Sequence, residues 1–337
     1  MRRLVAKASV FHTAEKCNMV QRALAALGAV GVERAVMMPD LGGIAAGVLR
    51  GLQTHAAEQS QPWPEVTFLD MQIEDAAIDS VHAVEMMTEL GVAVILVMGG
   101  DGTHRVVASR CGAIPLVALS TGTNNAFPEI REATIAGLAA GLVATEAVPL
   151  AKGTVRNKVL RLNVNDKGRD LALVDVCVTT DRWIGARALW KPHDFSELFV
   201  TTARPDAIGL SAIAGLLHPV SRNAEYGLRL TLCPPGEGTL TLNVPIAPGL
   251  IAPVGIVEVR EIFPTDVWPL QTPRGVVALD GEREIEFGPE DQITVALALD
   301  GPVTVDVAAV MQYAAQHRLF SERSPPALRS VRGTRSH

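Results

Sequence analysis

Two short apolar runs, Val92 to Met98 and Ile114 to Leu119, each empty into a polar turn containing glycine, and this pairing most constrains the fold. A strand that is apolar along its whole length is covered on both faces, as in a parallel sheet flanked by helices. From Val32 to Thr123 the pattern alternates accordingly. Val32 to Met38 reads as a strand stopped by Pro39, Gly43 to Ala57 as a helix, and Glu65 to Leu69 as a second strand. Asp75 to Leu90 follows as a helix whose Ile78, Val81, Val84, Met87 and Leu90 share one face. This alternation predicts an α/β domain with an open, mostly parallel, Rossmann-like sheet.

The turns carry the chemistry. The first is Gly99-Gly100-Asp101-Gly102-Thr103, and His104 to Arg110 can open a helix directly behind it. Glycines let backbone N–H groups approach a polyanion and permit positive φ in a sharp bend, and a helix N-terminus adds its dipole. A lone turn of this kind also suits an ordinary tight βα bend. The second turn, Ser120-Thr121-Gly122-Thr123-Asn124-Asn125, supplies short donors and acceptors for phosphate, ribose or base; it could equally cap a helix starting near Pro128. In open α/β sheets ligands bind at the carboxyl ends of the strands, so two adjacent turns support each other.

From about residue 148 the texture becomes mostly β, over Val155 to Thr180 and Tyr226 to Leu299. Asn165 to Gly168 reads as a hairpin turn, Ala207 to Leu217 as a helical piece, and Asp306 as the cap of a last helix, Val307 to Gln316. The expected division is an α/β domain over 1–148, a β domain over 149–306, a returning helix over 307–320, and a disordered tail over 321–337. Asp280 and Glu282 flank a glycine at the end of an apolar strand, a pattern that also makes a plain hairpin. Asp175 is an acid inside an apolar strand, where a carboxylate costs free energy unless paired or used. Arg182, Arg187 and Lys191, beside Trp183 and Trp190, could contact an anionic substrate or form a solvated face.

Composition excludes several classes. A length of 337 residues with 48% hydrophobic content rules out global disorder, and a net charge of −6 argues against coating nucleic acid or anionic membrane. The four cysteines, Cys17, Cys111, Cys177 and Cys233, have neither zinc spacing nor a disulfide pattern. With no signal-peptide core and no apolar run of about 18 residues, a soluble cytoplasmic protein is expected. The histidines are dispersed, no Gly-x-Ser-x-Gly elbow occurs, and the glycines fail the Gly-x-Gly-x-x-Gly dinucleotide fingerprint.

Gly99 to Thr103, Ser120 to Pro128 and Leu279-Asp280-Gly281-Glu282, in this order, resemble the superfamily of NAD kinases and diacylglycerol or sphingosine kinases. The wording of the second turn, with Thr180 to Trp190 and Pro245 to Leu250, is similar to its ATP-NAD kinase-like branch, the acetoin-catabolism X proteins. The resemblance covers residues from about 2 to about 320. It implies an N-terminal α/β nucleotide domain, a C-terminal β-sandwich, a final helix packed back on the first domain, and a homo-oligomer, dimer or tetramer. Superfamily members usually begin with an extra strand ending in an Asn-Pro loop, whereas this chain opens on what reads as the following helix, Arg2 to Ala8. Where NAD kinases carry an Asn-Glu pair that reads adenosine, this chain carries Val174-Asp175.

The expected activity is ATP-dependent phosphoryl transfer, with Mg²⁺, to a hydroxyl of NAD or a related small molecule. Asp101 would act on the acceptor hydroxyl, or help hold Mg²⁺, while Gly99, Gly100, Gly102, Thr103, Thr121, Gly122, Thr123, Asn124 and Asn125 bind the nucleotide. Asp175, Arg182, Asp280 and Glu282 would serve from the second domain, the last two also as metal ligands. A diacylglycerol-type lipid kinase, or a nucleotide-binding or NAD-binding regulator without the chemistry, remains an alternative.

Overall fold

The computed structural model describes residues 7–58, 63–166, 168–180 and 192–321. The first domain opens with α1 (Thr13–Ala29), β1 (Arg34–Met37), α2 (Ile44–Glu58), β2 (Glu65–Phe68) and α3 (Ala77–Glu89). It continues with β3 (Ile95–Gly99), α4 (Asp101–Ala108), β4 (Leu116–Ser120), α5 (Ala133–Ala144), α6 (Leu150–Gly153) and β5 (Thr154–Arg156). β3 and β4 pair in parallel from Ile95 with Leu116 to Gly99 with Ser120, so both polar turns leave the sheet at the same level. β1 and β2 form a separate parallel pair.

The alanine-rich α5 is apolar nearly all round and is correspondingly buried, with α1 and α8 packed on its faces. Gly137 makes this approach possible, because a Cβ there would lie 2.8 Å from the Ala23 carbonyl oxygen on α1. Glu132 holds the start of α5 by accepting the Thr134 and Ile135 N–H groups at 2.7 and 3.1 Å, a carboxylate at the positive end of a helix. The helix expected near Pro128 therefore begins later. The intervening backbone is already engaged with β4, Ser120 N–H donating to the Glu129 carbonyl and Glu129 N–H to that of Ala118. The long helix α1 has no counterpart among the sequence expectations, and of the helix expected over Arg2 to Ala8 only residues 7 and 8 are described, neither of them helical.

The second domain comprises β6 (Val159–Val164), β7 (Gly168–Ala172), β8 (Asp175–Thr179), β9 (Phe195–Val200), α7 (Ser211–Gly215), β10 (Gly227–Cys233) and β11 (Leu240–Ala247). After these come β12 (Leu250–Ile262), β13 (Val267–Pro269), β14 (Gly275–Leu279), β15 (Glu282–Phe287), β16 (Ile293–Ala298), β17 (Val303–Val305) and α8 (Val307–Gln316). A seven-stranded sheet in the order β11-β12-β10-β9-β8-β14-β15 faces a four-stranded sheet, β13-β16-β6-β7. Leu160, Leu162, Val178, Phe199, Val277, Leu279 and Val295 fill the space between them, which makes the domain a β-sandwich. The β6–β7 hairpin, with Val164 paired to Gly168, turns where expected, Asn165 and Asp166 having φ values of +50° and +56°.

The chain then returns. β17 pairs parallel to β4 and antiparallel to β5, extending the first domain's sheet to β3-β4-β17-β5. Segments on both flanks of 157–302 therefore join the first domain, and α8 follows onto it. Its cap is Asp306, which accepts Ala309 N–H at 3.0 Å. Of the piece expected helical over Ala207 to Leu217, α7 takes five residues. No helix among the described residues is long and apolar enough to cross a membrane. The expected tail lies outside the described residues from 322 onward.

Candidate functional site

The two polar turns of the first domain meet the β14–β15 turn and the Leu173 to Asp175 stretch of the second. Phe127, Val159, Leu173 and Val174 form a small apolar core at this junction. Above it sits Asp101, the first residue of α4, with Gly100 as N-cap and no side-chain cap. Among the described residues, the N-cap position thus offers the first N–H groups of α4 no side-chain partner.

At Gly99 and Gly100 the close neighbours, not φ, call for glycine. None of Gly99, Gly100 and Gly102 has positive φ, contrary to the expectation for a sharp bend. A Cβ on Gly99 would lie 2.7 Å from Thr103 Cβ, and one on Gly100 would lie 2.8 Å from Asn125 Oδ1. On Gly102 it would approach the Glu282 carboxylate at 3.3 Å, which brings a residue of the second domain against the turn.

Asp101 links the turns. Its carboxylate accepts Ala126 N–H at 2.9 Å and Phe127 N–H at 2.8 Å. Burial pushes its carboxyl up to about 6, with Glu282 adding to the rise while the two N–H donors and the nearby Arg222 guanidinium oppose it. Arg222 stacks over the Phe127 ring at 5.2 Å and donates to the Ala126 and Phe127 carbonyls, so it fixes the same two peptides from the other side.

The second turn is fastened by its own side chains and by the residues before α1. Asn125 Nδ2 donates to Ser120 Oγ at 2.7 Å, and Ser120 Oγ donates to the Gly122 carbonyl at 2.8 Å. Ser9 N–H donates to Thr123 Oγ1 at 2.9 Å, Thr123 N–H returns to the Ser9 carbonyl at 3.0 Å, and Phe11 N–H donates to the Thr121 carbonyl at 2.8 Å. Thr121 and Gly122 are buried in this clasp, while Asn124 is exposed.

From the sandwich, Asp280 sits in the left-handed region at φ +50° with its side chain fully buried. Its carboxylate accepts Leu173 N–H at 3.1 Å, Val174 N–H at 2.8 Å and Asp175 N–H at 3.3 Å, and Arg105 of α4 stands 3.8 Å away. Burial and the Asp101 charge nevertheless push its carboxyl up to about 7, against the Leu173 and Val174 N–H groups and Arg105. Those contacts make Asp280 the anchor of the β7–β8 crossing. Among the described residues no group of three or more His, Cys, Asp or Glu side chains is placed to hold a metal ion, so an Mg²⁺ beside Asp280 and Glu282 would need phosphate oxygens and water among its ligands.

Asp175 lies beside this group, buried, with Oδ1 lacking any hydrogen-bond partner. Burial first, then Asp280 and Asp101, raise its carboxyl well above the usual range, while the Gly281 N–H pulls the other way. The structure therefore gathers Asp101, Asp175, Asp280 and Glu282 with both polar turns. Arg182, Arg187 and Lys191 lie outside the described residues. Two participants were not anticipated from sequence. Arg105 had a signal, since it stands four residues after Asp101 and so on the same helix face. Arg222, in an irregular segment, had none.

Comparison with known proteins agrees with this architecture. Residues 4–147 match the family model of the ATP-NAD kinase N-terminal domain, and residues 158–300 match that of the acetoin catabolism protein X C-terminal domain. Acetoin catabolism protein X from Cupriavidus necator is 45% identical over 331 residues, covering 97% of this chain and 92% of that protein. Among solved structures, yeast NADH kinase complexed with NADH aligns at 12% identity with a TM-score of 0.46, over 88% of this chain and 89% of that one. An NAD kinase-like first domain joined to an antiparallel second domain, with a relative matched along nearly its whole length, makes this chain a member of the acetoin catabolism protein X family.

Proposed function

We propose that the junction binds the phosphates of a nucleotide and that the protein is a phosphotransferase, moving a phosphoryl group from ATP to a hydroxyl of NAD or a related small molecule. The observation that carries this reading is the uncapped start of α4, built on Gly-Gly-Asp-Gly and opening beside a carboxylate held at about 6. N–H groups with no side-chain partner at a helix start suit phosphate oxygens, each charge-assisted bond contributing about 1.5–3 kcal/mol. A base titrating near the working pH suits removal of a hydroxyl proton. The family model matched by the first domain is named for ATP and NAD, which fits the same reading.

Phosphoryl transfer asks for positioning and charge neutralisation more than for covalent help. In this reading the N–H groups of Gly102 and Thr103, with the second turn, hold the nucleotide. Asn124, exposed and outside the clasp, faces ligand, whereas Ser120, Thr121, Thr123 and Asn125 keep the turn in shape. Asp101 orients the acceptor hydroxyl and takes its proton; Arg222 holds the Ala126 and Phe127 peptides that orient Asp101. Magnesium is given no site made of protein ligands alone; its ligands would be phosphate oxygens and water.

Incubation of the protein with ATP labelled at the γ-phosphate, Mg²⁺ and separate acceptors tests this. Label is expected in NAD or NADH. Label in diacylglycerol presented in vesicles would move the protein to the lipid kinases, and nucleotide binding without transfer to any acceptor would make it a regulator.

A further inference from the structure

Asp175 has no part in the transfer described above, yet it is the worst-solvated carboxyl of the junction. It lies on β8, buried, and one oxygen has only the Gly281 N–H while Oδ1 has no partner. An ionised carboxylate in such surroundings needs a cation or several donors. The charged groups nearest to it are mostly of its own sign. From α4 comes Asp101, and from the β14–β15 turn come Asp280 and, beyond it, Glu282. Of the cations, Arg105 is engaged with Asp170 of β7 at 3.3 Å and stands 3.8 Å from Asp280, and Arg222 faces Asp101 and Glu129 while donating to two carbonyls.

We propose that Asp175 is kept as a neutral carboxylic acid, which lets Asp101 and Asp280 share a buried junction. The donor that the neutral acid offers at Oδ1 is then available to an acceptor in the site. One negative charge is removed from the place where a polyanion is to bind. This assignment concerns the protein without ligand, and so stands or falls apart from the phosphotransferase reading.

The sign of the linkage is fixed. Between about pH 4, where an unfolded aspartate ionises, and the raised value in the fold, the folded chain keeps a proton that the unfolded chain releases. Stability therefore falls as pH rises through that window, and Asp175→Asn, isosteric and permanently neutral, removes this part of the fall. Asp101 and Asp280, raised to about 6 and about 7, contribute to the same slope in both proteins, so the comparison isolates Asp175.

Infrared difference spectroscopy on the full chain without nucleotide, at neutral pH, is the test. The wild-type protein is expected to show the carbonyl stretch of a protonated carboxylic acid that is markedly weaker in Asp175→Asn, and denaturant titrations are expected to show the variant gaining on wild type from pH 5 to pH 8. Absence of the band in wild type, or an undiminished band in Asp175→Asn, overturns the proposal; Asp280, raised to about 7, leaves a weaker band in both proteins. Should that variant not fold, Asp280→Asn decides: the band persists there if it belongs to Asp175, and its disappearance refutes the assignment.

Discussion

Asp101→Asn is expected to lower phosphoryl transfer by roughly 10²–10⁴-fold, the usual worth of a positioned general base. The variant keeps a side-chain oxygen for the Ala126 and Phe127 N–H groups, so the turns stay in register and ATP affinity is expected to change by less than about threefold. The wild-type rate should also rise with pH through about 6, where Asp101 loses its proton, and Asp101→Asn should lack that limb. A variant that turns over like wild type, or that loses nucleotide affinity and rate together, would remove Asp101 from the role of base and leave it as a fastener between the turns.

The second large effect is structural. Asp280→Ala leaves the Leu173, Val174 and Asp175 N–H groups without their acceptor in a buried turn and takes a neighbour from Arg105. At about 1–3 kcal/mol for a buried group left unmade, and with some return from removing a costly buried carboxyl, a net loss of about 2–5 kcal/mol is expected. Denaturant unfolding measures it. Asp280→Asn, which retains one acceptor oxygen, should lose less. Equal stability of Asp280→Ala and wild type would show that the β7–β8 crossing is held by something other than this carboxylate.

What could be read from the chain follows the range of the forces involved. Asp306 capping α8, the turn at Asn165 and Asp166, and the unbroken apolar strands β3 and β4 are set by neighbours a few residues away, and each was legible. So was the convergence of the two polar turns, because parallel strands in register place their ends side by side. Positive φ was expected of the glycines, and none of Gly99, Gly100 and Gly102 has it. Gly100 and Gly102 answer to Asn125 and Glu282, approached from elsewhere in the fold, and such contacts leave no trace in spacing. The extension of the first sheet by β5 and β17 was invisible for the same reason, since its register joins Thr304 to Leu116 and Val155. Asp280 was recognised as unusual, but its structural work was not: a carboxylate on a glycine turn attracts a metal or backbone N–H groups equally well on paper, and here it accepts three N–H groups. Arg222 fastens the peptides that hold Asp101 from a segment with no periodicity, so only the assembled fold reveals it.

The central claim is that nucleotide phosphate sits between the first turn and the second domain, and calorimetric titration of ATP and NADH into wild type and Gly102→Val tests it most directly. Gly102 has ordinary φ, and the atoms its Cβ would meet belong to the far end of the Glu282 side chain at 3.3 Å, so the fold accommodates valine while the gap beside the turn fills. Saturable binding to wild type is expected, weakened at least about tenfold in the variant, a loss of about 1.4 kcal/mol or more, with the unfolding midpoint unchanged. Equal affinity in the two proteins, or no binding to wild type, would contradict it.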